Sequence, residues 1–214
     1  MHLSDGIVTW PVLAGGTAAA AAGLAVGLSR IRPERIPRVA VLSSVFFVAS
    51  LIHVPVGVAS VHLILNGING LLLGWAAFPS IFMALTLQML LFQYGGITVL
   101  GLNTLIMAFP AVAAGLLFGS IVRSQKKNRA LAGGFLAGSF SIFLSGLLLA
   151  LALAFSGKQF LPAALVVAGA HVPIMLMEGI LTAACVGFLR KVKPGLLDYR
   201  PIVLSGKVKG GQGT

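Results

Sequence analysis

The sequence predicts an all-α polytopic transmembrane bundle of about seven helices, with its N-terminus outside and its C-terminus cytoplasmic. Three observations predict it. The composition is 58% hydrophobic and only 9% charged, with a mean hydropathy of +1.04, outside the range of soluble domains. Apolar runs of the roughly 20 residues that a membrane crossing needs follow one another with short connections, and they take up nearly all of the 214 residues. The basic residues lie in short clusters between alternate runs, a pattern that reports membrane topology. The net charge of +11 does not point to nucleic acid, because these cations are not interleaved with aromatics on an exposed face.

Apolar runs read against charges and Pro/Gly breaks place helices at 7–29, 36–53, 61–77, 79–93, 97–121, 130–155 and 162–189. Residues 1–192 form the membrane domain and 193–214 a cytoplasmic tail. The first helix carries Gly15, Ala19, Gly23 and Gly27 at every fourth residue, a smooth stripe suited to close helix packing within the chain or against another subunit. Arg30, Arg32, Arg35 and Arg38 follow it. The third and fourth helices are separated only by a turn at Trp75–Ser80 around Pro79. Gln93, Tyr94, Gly95 and Gly96 form an outward turn whose paired glycines permit close backbone approach. Arg123, Lys126, Lys127 and Arg129 follow the fifth helix; Arg190, Lys191 and Lys193 follow the seventh, which Pro173 bends. An odd number of crossings puts all three clusters on one side. By the positive-inside rule that side is the cytoplasm, and the segment from His53 to His62 faces outward. Cys185, the only cysteine, lies within the last apolar run and reads as a small packing residue, which leaves no disulfide and no thiolate cluster.

The N-terminus lacks the basic segment and small-residue cleavage site of a signal peptide. Because His2 is large, Met1 is expected to stay in place with a free amine. Few ionisable groups remain outside the basic clusters and tail, and within a membrane each is costly unless paired or lining a cavity. His2 offers three nitrogens: the Met1 amine, its own backbone amide and its imidazole. Together these close fused chelate rings near one plane, suited to Ni²⁺ or Cu²⁺ and accessible to Co²⁺, but not to Mg²⁺ or Ca²⁺. The plainer reading is an exposed polar residue at a frayed terminus. His62, expected to open the third helix on the same outer face, is the candidate fourth donor; the alternative is a helix-start histidine bonded to backbone. His53 lies at the same level as a gate, an orienting group or an interfacial anchor. Asp5 reads as an N-cap of the first helix, as a carboxylate that fixes the His2 tautomer, or as both. Thr98 and Asn103 can steady a buried loop over the metal, or belong to a plain helix–helix turn. His171 and Glu178, seven residues apart in the last helix, share a face as an internal polar pair: either a network towards cytoplasmic partners or a structural clamp.

Taken together, Met1-His2-Leu3-Ser4-Asp5-Gly6, His53-Val54-Pro55-Val56-Gly57 with Val61-His62-Leu63-Ile64-Leu65-Asn66-Gly67, and Gly95-Gly96-Ile97-Thr98 with Gly101-Leu102-Asn103-Thr104 resemble the CbiM/NikM family. These are the substrate-capture components of energy-coupling-factor ABC importers for cobalt and nickel. The similarity runs from Met1 to about Arg190. It implies a seven-helix subunit whose outward N-terminus is tucked into the fold. It further implies that the metal is held by the Met1 amine, the amide and imidazole of His2, and the imidazole of His62. Residues 1–192 then form a metal-capture domain in a prokaryotic cytoplasmic membrane, and imported cobalt would serve cobalamin biosynthesis. Where cobalt-type members carry Ser-His-Pro-Thr-Gly, this chain has Ser60-Val61-His62-Leu63-Ile64, which leaves Co²⁺ and Ni²⁺ both open as the transported ion. No cofactor is implied.

The chain has no Gly-rich loop followed by Lys-Ser/Thr, so energy must come from partners. The resemblance supplies a transmembrane coupling subunit, a pair of cytoplasmic ATPases and a small accessory membrane protein. Two other classes of function are weighed against transport by capture. An intramembrane metalloenzyme would need a general base, and Glu178, about 24 Å along its helix from the outer end, looks too deep to reach His62. A passive channel would need polar rings repeated along a path, whereas the polar groups crowd at one face.

Overall fold

The computed structural model describes residues 3–51, 53–56 and 59–197, with the side chains of 53–62 left out of that description. Among the described residues the chain is a bundle of seven α-helices and one short hairpin. Helix α1 (Trp10–Ser29) starts later than expected, after an extended Thr9, with Pro11 in the first turn where its missing N–H costs nothing. Its buried stripe is Gly16, Ala20, Gly23 and Gly27, one residue round from the predicted stripe at its outer end. Gly23 lies against the Phe78 ring, and Gly27 against the Trp75 carbonyl and Pro79. This side of α1 is therefore filled within the chain, while Gly15 meets nothing.

Helix α2 (Ile36–Ala49) stops short of the predicted end at 53. Ser50 turns both its N–H and its hydroxyl back onto the Phe46 carbonyl. Beyond it, Val54, Pro55 and Val56 favour extended backbone, since β-branching and a missing donor both oppose a helix. The result is a hairpin that the sequence reading did not foresee: β1 (His53–Val56) pairs antiparallel with β2 (Ala59–His62), with His53 opposite His62. The predicted third crossing at 61–77 is replaced by this hairpin and by α3 (Asn66–Leu73), whose eight residues are all buried. At about 1.5 Å per residue α3 is roughly 12 Å long, far short of a bilayer.

Among the described residues, five units reach a membrane span by length and apolar composition: α1, residues 66–92, α5 (Leu100–Val122), α6 (Lys127–Ser156) and residues 158–192. Residues 66–92 are not one rod. Asn66 bonds the Met107 carbonyl and Gly70 abuts Ala111, so α3 runs beside α5 in the same direction, and its last turn reaches Arg30, Arg35 and Arg38. Gly74 then adopts φ 55, ψ −126, and α4 (Ala77–Phe92) climbs back beside α2, with Ser43 on the Ser80 carbonyl and Ser50 beside Gln88. The predicted break before Pro79 is present, but it joins a half-length helix to a longer one.

Helices α6 and α7 (Leu161–Val192) pack antiparallel: Gly134 meets Thr182 and Ala183, Gly138 the Glu178 carbonyl, and Gly146 the His171 ring. The basic clusters gather at one end. Arg190 donates to the carbonyls of Ser124 and Gln125 (2.7 and 3.0 Å), Arg38 donates to that of Leu196, and Arg30 lies over the Trp75 ring. Large apolar side chains such as Phe155 and Leu165 point outward, as expected of a bundle solvated by lipid.

Candidate metal centre

At the end opposite the basic clusters, the segment preceding α1 is tied down by side chains of three helices or their connections. Leu3 is completely buried. Its N–H donates to Asn103 Oδ1 at 3.0 Å, and its carbonyl accepts from Asn103 Nδ2 at 3.1 Å, so one amide side chain imitates the partner strand of a sheet. Asp5 accepts the Thr98 hydroxyl, and its carboxylate lies so close over Gly96 that any Cβ there would overlap it. Gly6 takes φ +82 as the chain turns away. Thr9 donates its N–H to Ser156 Oγ at 3.3 Å, a contact that neither residue's sequence neighbours suggest. Asp5 does not cap α1, whose N-cap is Thr9 without a side-chain bond; its partners lie in the α4–α5 connection instead.

Met1 and His2 lie outside the described residues. Of His53 and His62, the backbone pairing alone is described. His62 ends a strand and does not open a helix, which begins four residues on at Asn66.

Asn66 donates Nδ2 to the Met107 carbonyl at 2.9 Å and to Ser145 Oγ at 3.3 Å. Asn103 and Met107 are one turn apart on α5, a rise of about 6 Å. The segment that follows His2 and the segment that follows His62 are thus anchored to successive turns of one helix face, and Leu3, Ile64, Ile106 and Met107 share one apolar cluster. In the sequence, Asn66 stands out only within the family resemblance and Asn69 has no assigned role; their signal is two amides spaced with Gly67 and Gly70 inside an otherwise apolar run.

His171 and Glu178 do not form a pair. His171 Nδ1 donates to the Val167 carbonyl at 2.6 Å and its ring faces Gly146, whereas Glu178 Oε1 accepts the N–H groups of Ile64 and Leu65, both at 2.5 Å. Glu178 thus meets the backbone two and three residues beyond His62, a contact not expected from its depth along α7. Among the described residues no three His, Cys, Asp or Glu side chains converge as a metal site.

The family model described as "Cobalt uptake substrate-specific transmembrane region" matches residues 2–196. The chain belongs to the CbiM/NikM family of cobalt and nickel transport components. A Haemophilus influenzae protein named for metal transport is 42% identical over 92% of this chain and 97% of its own length. The Sorangium cellulosum cobalt transport protein CbiM is 31% identical over 95% and 97%. A crystal structure of a transition metal transporter superposes with a TM-score of 0.70 at 26% identity, over 90% of this chain and 93% of that one. As a CbiM/NikM member the chain is a multi-pass membrane transport component for Co²⁺ or Ni²⁺, and its function is transport, not catalysis.

Proposed function

We propose that this CbiM/NikM chain is the substrate-capturing component of an energy-coupling-factor ABC importer, taking up Co²⁺ or Ni²⁺ at an outward-facing N-terminal chelate. The Met1 amine, the His2 amide and imidazole, and the His62 imidazole would be the four donors, a near-planar nitrogen set suited to Ni²⁺ and accessible to Co²⁺. The observation that supports this most directly is the double hydrogen bond from Asn103 to Leu3, one turn along α5 from the anchor of the His62 arm at Asn66. Leu3 and Asn66, which follow the two proposed donor residues in the chain, are thus held on one face of α5. Asp5, held by Thr98, lies three residues from His2 as a carboxylate able to orient its imidazole.

The end carrying the Arg and Lys clusters would face the cytoplasm of a prokaryotic cell, which places the chelate outside. Release inward would be driven by a cytoplasmic ATPase pair acting through a transmembrane coupling subunit, with a small accessory membrane protein, and cobalt so imported would serve cobalamin biosynthesis. Calorimetric titration of Ni²⁺ and Co²⁺ into the purified chain tests the site, with a chain lengthened by one N-terminal residue and His62→Ala as comparisons. Both changes are expected to abolish tight binding; an extended chain that binds like the native one would refute the chelate.

A further inference from the structure

We infer that Glu178 is a positioning residue for the His62 arm: its carboxylate, carried by α7, latches the chain between β2 and α3 and fixes the depth at which His62 is presented. The inference rests on the proposed reading of His62 as a metal donor. It begins from two consecutive backbone N–H groups, Ile64 and Leu65, that converge on the single oxygen Oε1 at 2.5 Å each. Glu178 is fully buried and lies near the middle of a 32-residue helix. A carboxyl group is costly there unless it finds donors, and the donors it finds belong to the stretch that leaves His62.

The backbone at the latch is of a kind that needs holding. Leu65 sits in the left-handed region, φ 54 and ψ 34, and α3 starts from it without a side-chain cap. A residue with a Cβ occupies that region only where its surroundings impose it. Here they do so from both sides: Glu178 takes the Leu65 N–H, and Asn69 Nδ2 donates to the Leu65 carbonyl at 3.2 Å. The carboxylate itself is mounted firmly, because Gly138 of α6 packs against the Glu178 backbone so closely that a Cβ would overlap it, and Ser139 bonds the Met175 carbonyl one turn away. Ile64 is completely buried and follows His62 by two residues, at most about 7 Å of extended chain. The depth of that anchor therefore sets the depth of His62. Glu178 does this as a hydrogen-bond acceptor and need not touch the ion.

Amide hydrogen exchange of the metal-free protein, followed by Ni²⁺ titration, tests the latch on Glu178→Gln and Glu178→Leu. The Gln amide oxygen accepts the same two bonds, so protection at Ile64 and Leu65 should persist and Ni²⁺ affinity should stay within about threefold of wild type. Leu fills the space without an acceptor. It should speed exchange at those two amides at least tenfold and weaken Ni²⁺ binding at least tenfold, with α5 and α6 amides as protected as before. Undiminished protection in Glu178→Leu, or lost protection with unchanged affinity, overturns the inference, as does Glu178→Gln behaving like Glu178→Leu. Should Glu178→Leu not fold, Asn69→Leu removes the opposite hold on Leu65 and is expected to weaken Ni²⁺ binding at least threefold; unchanged binding there also overturns it. Wild-type protein that binds Ni²⁺ equally well with an N-terminal extension would instead strike at the proposed chelate, and the exchange data would still decide whether the latch exists.

Discussion

Replacing Asn103 by Leu removes both hydrogen bonds to Leu3 with little change in side-chain volume. A typical buried hydrogen bond contributes about 0.5–1.5 kcal/mol net, and a donor or acceptor left unpaired costs about 1–3 kcal/mol. Leu3 is completely buried, so its N–H and carbonyl would both be stranded if the segment stayed docked. The docked arrangement should therefore lose about 2–4 kcal/mol, a factor of roughly 30 to 1,000 in its equilibrium with undocked forms. If the metal is held by the two residues that precede Leu3, apparent affinity falls by the fraction still docked. At least a tenfold loss of Ni²⁺ affinity is expected by calorimetry, with the thermal unfolding of the helical bundle nearly unchanged. Asn103→Asp keeps an acceptor for the Leu3 N–H but sets a second oxygen against the Leu3 carbonyl, so it should bind no better than Asn103→Leu. An Asn103→Leu protein that is folded and binds Ni²⁺ within threefold of wild type would refute the docking argument.

Two further substitutions separate the site from the scaffold. Gly96→Ala adds a Cβ that overlaps the Asp5 carboxylate; it should disturb the Asp5–Thr98 contact and weaken Ni²⁺ binding several-fold while leaving the melting temperature within a few degrees, and an unchanged titration would show that this contact is idle. Gly115→Ala drives a Cβ into the Gly70 carbonyl, where backbone meets backbone and no side chain can yield. Overpacking of that kind costs about 1–3 kcal/mol or more, so a clear fall in thermal stability in detergent is expected, and a wild-type melting curve would contradict the close approach of α3 and α5.

Most of the bundle was legible because a bilayer imposes a simple rule: long apolar runs must be helical, since no water is present to satisfy an open backbone. Helices α5, α6 and α7 accordingly begin and end within three residues of where hydropathy and charge put them. The rule failed between Ala49 and Gly74. Val54, Val56, Val61, Leu63 and Ile64 are as apolar as any crossing, and hydropathy cannot tell a lipid-facing helix from an extended hairpin. Pro55 and the run of β-branched residues were the available signal for extended backbone. The site was legible as residue types more than as contacts. Asn103 and Thr98 could be singled out as polar groups near the N-terminal segment, but that Asn103 reads the Leu3 backbone, and Thr98 the Asp5 carboxylate, depends on long-range packing. Seven residues put His171 and Glu178 on one face of α7 and suggested a pair, but Glu178 takes the Ile64 and Leu65 N–H groups instead, a long-range approach that spacing along one helix cannot show.

The short α3 gives that descent its physical basis. Gly67 lies against the Gly138 backbone, and Gly70 against the Ala111 carbonyl and Gly115, so α3 is located by backbone contacts that only glycine allows and that side-chain repacking cannot shift. An eight-residue helix fixed between α5 and α6 cannot itself cross the membrane, so its N-terminus lies deep and the chain entering it must descend through the bundle. That entering chain is the His62 arm. Its anchor at Met107 and the anchor of the N-terminal segment at Asn103 lie on the same helix, so a movement of α5 carries both arms together and preserves their separation. Glu178, on α7, holds one arm and not the other. On the proposed reading, the spacing of the metal donors is therefore sensitive to displacement of α7 against α5.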